Sequence, residues 1–347
     1  MRVYELDIEV LTPLIVARPF TGNIARHEAS RISGRTMRGA FLFKSYTEGR
    51  REEVERENRS PQLVFHPAFP IVNGKLAMPA HPFIYQCKVC GEIADYLPTL
   101  IRTGFDLRAA LPPETCPNGH MLVMKSLGGE LVVREGDGFR GAEGIDRMRV
   151  ENVGMSKMFR TSEVGMIYNY ICIAPGQRFG SLIVDTGDGG LERLGYGLGQ
   201  AYRLQLGRGG TRGLGYVEAE VRELEMESLR REVERRAATV GPHLLLLAKA
   251  PIFSISYDEG SVSICLHPEI PPLKYEGGWI PKTVSFSGFG LASGLPKAKL
   301  TCASPGSLYR YTLPAEPDDG VLDTLAKAML VGLPPHNHLG LNLLEVV

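Results

Sequence analysis

Net charge is the first thing this chain lacks. Its 39 lysines and arginines are offset by 39 aspartates and glutamates, so attraction to a polyanion has to come from local clustering and not from the bulk field. Long apolar runs are missing too. The strongest, 244-LLLLA-248, stops at Lys249 and is far too short to span a bilayer. The opening MRVYELDIEV is charged and alternating where a secretion signal would be apolar, which gives the expectation of a soluble cytoplasmic protein with no membrane partner. Cysteine is sparse and forms no disulfide framework: three of the six fall in one thirty-residue window, while Cys172, Cys265 and Cys302 stand scattered in apolar contexts and read as core. Neither a nucleotide-binding fingerprint nor a pair of catalytic carboxylates is present, which sets aside a small-molecule enzyme. With 347 residues, 44% of them hydrophobic, the chain can bury a real core and has room for two domains, or for one domain carrying a large insertion.

Charge clusters where it is present. Between Arg18 and Lys44 stand six basic residues, Arg18, Arg26, Arg31, Arg35, Arg38 and Lys44, against the single acid Glu28. Farther along, 207-GRGGTRGLG-215 holds five glycines and two arginines in nine residues. Glycine permits positive φ and close backbone approach, and a guanidinium offers planar donors suited to phosphate oxygens. Arg208, Gly209, Gly210, Arg212 and Gly213 are therefore candidate contacts to a phosphate backbone.

Periodicity gives the organisation. Tyr4, Leu6, Ile8 and Val10 alternate with Glu5, Asp7 and Glu9 as a half-buried strand. Ser33 offers an N-cap, with Met37, Ala40, Phe41 and Lys44 at helical spacing behind it. The stretches 167-IYNYICIA-174 and 179-FGSLIVD-185 flank the turn-rich 175-PGQR-178 and read as a hairpin. Leu191, Leu194, Leu198 and Ala201 predict a second helix, and after the glycine loop Val217, Ala219 and Val221 predict a last strand. The order is that of an α+β, ferredoxin-like (RRM-like) βαββαβ core over residues 1–222, interrupted by an insertion over 50–165. Within the insertion, 87-CKVC-90 and 116-CPNGH-120 supply Cys87, Cys90, Cys116 and His120. Two close pairs of soft or borderline ligands are what a tetrahedral structural zinc site requires, and four protein ligands leave no open position for catalysis. The charged stretch 223–242 reads as a linking helix. Residues 243–347 restart the plan as a degenerate second ferredoxin-like domain, from 243-HLLLLAKAPIF-253 to the glycine-bearing 332-GLPPHNHLGLNLLEVV-347.

The loop GRGGTRGLGYVEAEV resembles the glycine-rich signature of the RAMP superfamily of CRISPR-associated proteins. Three more segments agree with it in order: 12-TPLIVA-17, 33-SGRTMRGAF-41 and 161-TSEVGMIYNYICIAPGQRFG-180. The resemblance covers roughly residues 1–222 and is greatest to type III effector subunits, either the backbone subunit of the Csm/Cmr kind or the related subunit of the III-D branch. It implies an RNA-binding subunit that holds single-stranded guide RNA by its sugar-phosphate backbone, beside other effector subunits and copies of itself, or else a subunit that caps the guide's 5′ end. Arg18, Arg26, Arg31, Arg35 and Arg38 would join the glycine loop in that contact, with Phe20 as a base-stacking aromatic. The backbone subunits use an aspartate after the first strand to cut target RNA, and here the sequence departs: from Thr12 to Lys44 the only carboxylate is Glu28. Glu28 is a candidate to replace that aspartate and, flanked by His27 and Arg31, equally a surface ion-pair partner. The alternative is a metal-independent endoribonuclease processing precursor RNA, in which His27 would be the base and Arg26 or Arg31 the cation. A histidine in a basic loop more commonly meets phosphate or solvent, so the chain reads as a binding subunit.

Overall fold

The computed structural model describes residues 1–16, 30–108, 111–112, 114–121, 123–136, 138–142, 145–155, 158, 161–225, 231, 243–258, 261–286, 289–290, 295–296, 299–313, 319–334 and 336–347. The chain divides into two compact units, Tyr4–Ile71 with Gly144–Glu223, and Met1–Val3 with Val72–Glu143 and Leu224–Val347.

In the first of these, the strand Arg2–Val10 buries Tyr4, Leu6, Ile8 and Val10, as its alternation dictates. The sheet order runs Ala201–Gln205, Tyr216–Leu224, Arg2–Val10, Arg178–Asp185 and Phe69–Val72, with Leu63–Phe65 also paired to Arg178–Asp185. The helix Gly34–Thr47 begins where Ser33 turns to φ −70, ψ 145 and accepts a hydrogen bond from the Thr36 amide at 3.2 Å, satisfying one of the orphan donors of a helix start. Its Met37, Ala40 and Phe41 enter the core. There the Phe41 ring lies 5.2 Å from Phe65 and 4.6 Å from Tyr196. A second helix, Arg51–Arg59, is fastened to the first by Arg38, whose guanidinium donates to the Glu57 carboxylate at 3.0 Å and to the Glu57 carbonyl at 2.9 Å.

Two expected elements are built differently. The strand Ser162–Ile173 does not form a hairpin with Arg178–Asp185. It pairs with Arg147–Met155, from Arg147↔Ile173 to Met155↔Ser162, as a two-stranded ribbon. A strand has only two edges, and those of Arg178–Asp185 are taken by the first strand and by Leu63–Val72. The turn itself is tied to the first strand, Gly176 donating to the Val10 carbonyl at 2.7 Å and Val10 to that of Gln177 at 2.9 Å. The two short strands that pair with Arg178–Asp185, Leu63–Phe65 and Phe69–Val72, lie inside the expected insertion. The segment that leaves this unit is narrower, Val72–Glu143. The predicted second helix is one turn, Gly190–Arg193. Gly195 and Gly199 at φ +91 and +68 follow it, and Ala201 already opens a strand.

In the other unit a four-stranded antiparallel sheet runs Lys274–Trp279, Leu308–Thr312, His243–Ala248, Leu344–Val346. One face packs Leu244, Leu246, Tyr309 and Tyr311 with Val321 and Leu325 of the helix Asp319–Leu330. The other packs Leu245, Leu247 and Leu308 with Phe83, Leu97 and Leu100 of the inserted segment. Burial on both faces is why 244-LLLLA-248 is apolar without alternation. The expected linking helix over 223–242 lies outside the described residues except for 223–225 and Arg231; residues 223–224 end the last strand of the first sheet. Cys172 and Cys302 are buried, as expected of core thiols, and Cys265 is half-buried.

Arg38 and Glu57 are each only 6% exposed, and burial lowers the guanidinium pKa and raises that of the carboxyl. Arg38→Ala or Glu57→Ala would strand a charge in the core. Each should lower urea-unfolding stability by about 3–5 kcal/mol, whereas Arg56→Ala, which breaks an exposed pair with Glu53, should change it by about 0.5 kcal/mol or less.

Candidate nucleic-acid interface and metal centre

The glycine loop joins Ala201–Gln205 to Tyr216–Leu224, strands that pair antiparallel from Ala201↔Glu220 to Gln205↔Tyr216. Its middle is a single 3₁₀ turn, Gly210–Arg212, held between Gly209 at φ +84 and Gly213 at φ +77. What passes close to this backbone is the chain's own segment after the first strand. Arg208 donates to the Ile15 carbonyl at 3.1 Å and Gly215 to that of Pro13 at 3.0 Å. A Cβ on Gly207 would stand 2.1 Å from the Ile15 oxygen, and one on Gly215 2.1 Å from the Leu206 oxygen. Gly210 is not in the left-handed region; its Cβ would meet the Gln205 side chain at 2.5 Å. Gly213 alone in this loop has nothing within 4 Å of a Cβ position. Most of the glycine density thus serves the packing of loop on segment, and the open side is left to Gly213 and the exposed side chains of Arg208 and Arg212.

The remaining predicted RNA contacts divide. Arg18, Phe20, Arg26, His27 and Glu28 lie outside the described residues. Arg31, just before the first helix, and Arg35, in its first turn, are half-buried, and burial lowers the Arg35 guanidinium pKa. Arg38 is withdrawn from the set, since its guanidinium is buried and engaged by Glu57. Gly39 of the first helix has nothing within 4 Å of its Cβ position, so the sheet makes no close approach there. Sequence reasoning took Phe20 alone as a stacking aromatic, yet Phe43 of the first helix is 60% exposed. It also missed Tyr170, whose ring lies beneath the Arg212 guanidinium with Cζ 5.2 Å from the ring centroid. The helix period, which puts Phe43 off the face of Met37, Ala40 and Phe41, carried the first signal.

The open face of the first sheet has the wrong charge for RNA. Glu5, Asp7 and Glu9 lie beside Glu218 and Glu220 of the neighbouring strand. Arg178 pairs with Asp7, and Arg222 with Glu220 at 2.8 Å. Glu220, with Asp7 and Glu5 behind it, raises the Arg222 pKa, so these cations are already held by carboxylates. Like charge would repel a phosphate backbone laid across this face.

In the inserted segment Cys87, Cys90, Cys116 and His120 come together with all ligand atoms within 4.8 Å of one another. The Cys90 and Cys116 sulfurs are 3.9 Å apart, and His120 Nδ1 is 3.3 Å from the Cys116 sulfur and 3.9 Å from that of Cys87. Metal–sulfur bonds of about 2.3 Å in a tetrahedron set sulfur–sulfur edges near 3.8 Å, so the donor set fits such an ion. The Val89 amide donates to the Cys87 sulfur and the Asn118 side chain to that of Cys90. The Cys90 thiol is drawn down to about 6, first by the Glu92 backbone and then by Asn118, toward the thiolate that binds metal.

No family profile matches this chain, and no curated protein matches it in sequence. Among solved structures, a chain in type III-B Cmr-beta bound to cognate target RNA is 15% identical, over 88% of this chain and 86% of that one, with a TM-score of 0.48. A RAMP protein described as binding different RNA substrates is 8% identical over the whole of both chains, with a TM-score of 0.41. Oligomeric Cmr4 from Pyrococcus furiosus is 18% identical over 64% of this chain and 99% of that one, with a TM-score of 0.30. These likenesses are too distant to carry an argument about fold or activity.

The loop geometry separates the roles of its glycines. Gly213→Ala should cost about 1–2 kcal/mol, the strain of a left-handed residue with a Cβ. Gly207→Ala adds a collision with the Ile15 carbonyl and should cost roughly 2–5 kcal/mol. Thermal or urea unfolding of the two variants checks the order.

Proposed function

We propose that this chain is an RNA-binding subunit of a type III CRISPR effector ribonucleoprotein of the RAMP kind, holding single-stranded guide RNA by its sugar-phosphate backbone in the cytoplasm beside other effector subunits. The observation that carries this reading is the pairing of two exposed arginines on an open glycine turn with an adjoining sheet face lined by acids. RNA is drawn to the loop end, where its phosphates are read without regard to sequence. The first sheet supports a ferredoxin-like core, since Tyr216–Leu224, Arg2–Val10, Arg178–Asp185 and the stretch 63–72 lie in the order last, first, third, second, with Ala201–Gln205 added at the edge. The C-terminal sheet repeats that order with the hairpin Ser254–Asp258 and Ser261–Cys265 in place of the first helix, in keeping with a degenerate second domain.

The metal we assign to the Cys3His group is a structural zinc ion, on the strength of three sulfurs and one imidazole at tetrahedral spacing. No catalytic role is proposed for the chain. Two measurements test these assignments. Arg208→Ala and Arg212→Ala should each weaken binding of unrelated single-stranded RNAs to a similar degree, and each should flatten the slope of log affinity against log salt by about 0.7. Unchanged affinity and slope in both variants would overturn the loop as the RNA contact. Metal analysis should find about one zinc per chain. Chelation should speed amide exchange in His243–Ala248 and Leu308–Thr312, because Phe83, Leu97 and Leu100 of the inserted segment cover that sheet; zinc-free protein with full protection there would contradict the assignment.

A further inference from the structure

The ribbon Arg147–Met155 with Ser162–Ile173 rises beside the glycine loop, and its residues alternate between two faces. Tyr170 stands opposite Val150 on the face that packs, with Cys172, against Ile15 of the segment after the first strand and Leu214 of the loop. Its ring is therefore seated on one side and half-buried overall. Arg212 lies over it, exposed, with Cζ 5.2 Å from the ring centroid. The neighbouring Gly213, also exposed, has open space where a side chain would stand. A planar cation and an aromatic ring are thus gathered at the open side of a loop whose other glycines are filled by the chain itself.

We propose that Tyr170 and Arg212 form a stacking seat for one unpaired nucleobase of the RNA strand, an inference that rests on the loop's phosphate contact proposed above. An aromatic face and a guanidinium plane both stack on bases, and they do so with little sequence preference because every base presents a π face. Arg212 serves both parts of the nucleotide: its charge offsets a phosphate, and its plane, held by the ring, lies in the path of the base. Tyr170 supports that plane from beneath through a cation–π contact, and the base stacks on the outer face of the guanidinium. The pair would set where along the strand a base is held out of its neighbours' stack.

The test uses Tyr170→Phe, Tyr170→Leu and Arg208→Ala in the full chain, with a single-stranded RNA and an abasic strand of equal length. Tyr170→Phe keeps the ring and should bind RNA within about twofold of the wild type. Tyr170→Leu keeps the apolar packing but loses the stack and should bind roughly 5- to 100-fold more weakly, with an unaltered salt slope because no phosphate contact is lost. On the abasic strand, Tyr170→Leu and the wild type should bind alike. If Tyr170→Leu binds intact RNA as the wild type does while Arg208→Ala is weakened, the stacking seat is wrong and the phosphate reading stands. If Tyr170→Leu is equally weakened on the abasic strand, the ring only positions the loop and the seat is again overturned. If Arg208→Ala is also without effect, the loop reading falls with it.

Discussion

The Ile15 carbonyl lies so close to Gly207 that no residue with a Cβ fits between them, and the geometry of the proposed RNA contact follows from that approach. The segment after the first strand is bonded on one side to the ribbon, through Leu14 and Ile173, and on the other to the loop, through Ile15 and Arg208. Ribbon, segment and loop therefore form one rigid seat, with Leu214, Ile15 and Cys172 as its apolar floor. Fixing this backbone in advance lowers the entropy lost when a flexible polyanion is bound. Glycine here serves the protein's own packing first, and its openness to a ligand is confined to the turn around Gly213.

The other unit solves a different problem. A short four-stranded sheet has two apolar faces, and among the described residues the helix Asp319–Leu330 covers one of them. The segment Val72–Glu143 covers the second face with Phe83, Leu97 and Leu100, and the backbones meet so tightly that a Cβ on Gly306 would stand 2.4 Å from the Ala80 oxygen. The cover is assembled from short strands and a six-residue helix, with little core of its own. A metal held by Cys87, Cys90, Cys116 and His120 would stabilise such a lobe as small zinc modules are stabilised, through the folded state alone.

Local signals were the legible ones. The alternation of Tyr4, Leu6, Ile8 and Val10, the cap at Ser33, the last strand at Tyr216–Leu224 and the four clustered ligands could all be read within windows of a few residues. Pairing choices could not. Pro67 and Pro70 disguise 63-LVFHPAFPIV-72, since proline reads as a break inside a strand, and so the turn at 175–178 looked like a hairpin between its two flanks. The helix over 191–201 failed because Gly195 and Gly199 outweigh leucine spacing. Arg38 looked like one more member of a basic cluster, and only Glu57, nineteen residues on, gives it a buried partner. That the inserted segment packs against the C-terminal sheet was written only in the unbroken apolarity of 244-LLLLA-248.

The central claim is that RNA meets the loop end and not the face of the first sheet. Arginine-selective chemical modification, read by mass spectrometry with and without single-stranded RNA, tests it in one experiment because both places carry arginines. Protection of Arg208 and Arg212, with Arg178 and Arg222 reacting as before, is the predicted result. Protection of Arg178 and Arg222 with Arg208 and Arg212 unaffected would place the RNA on the sheet and contradict the account.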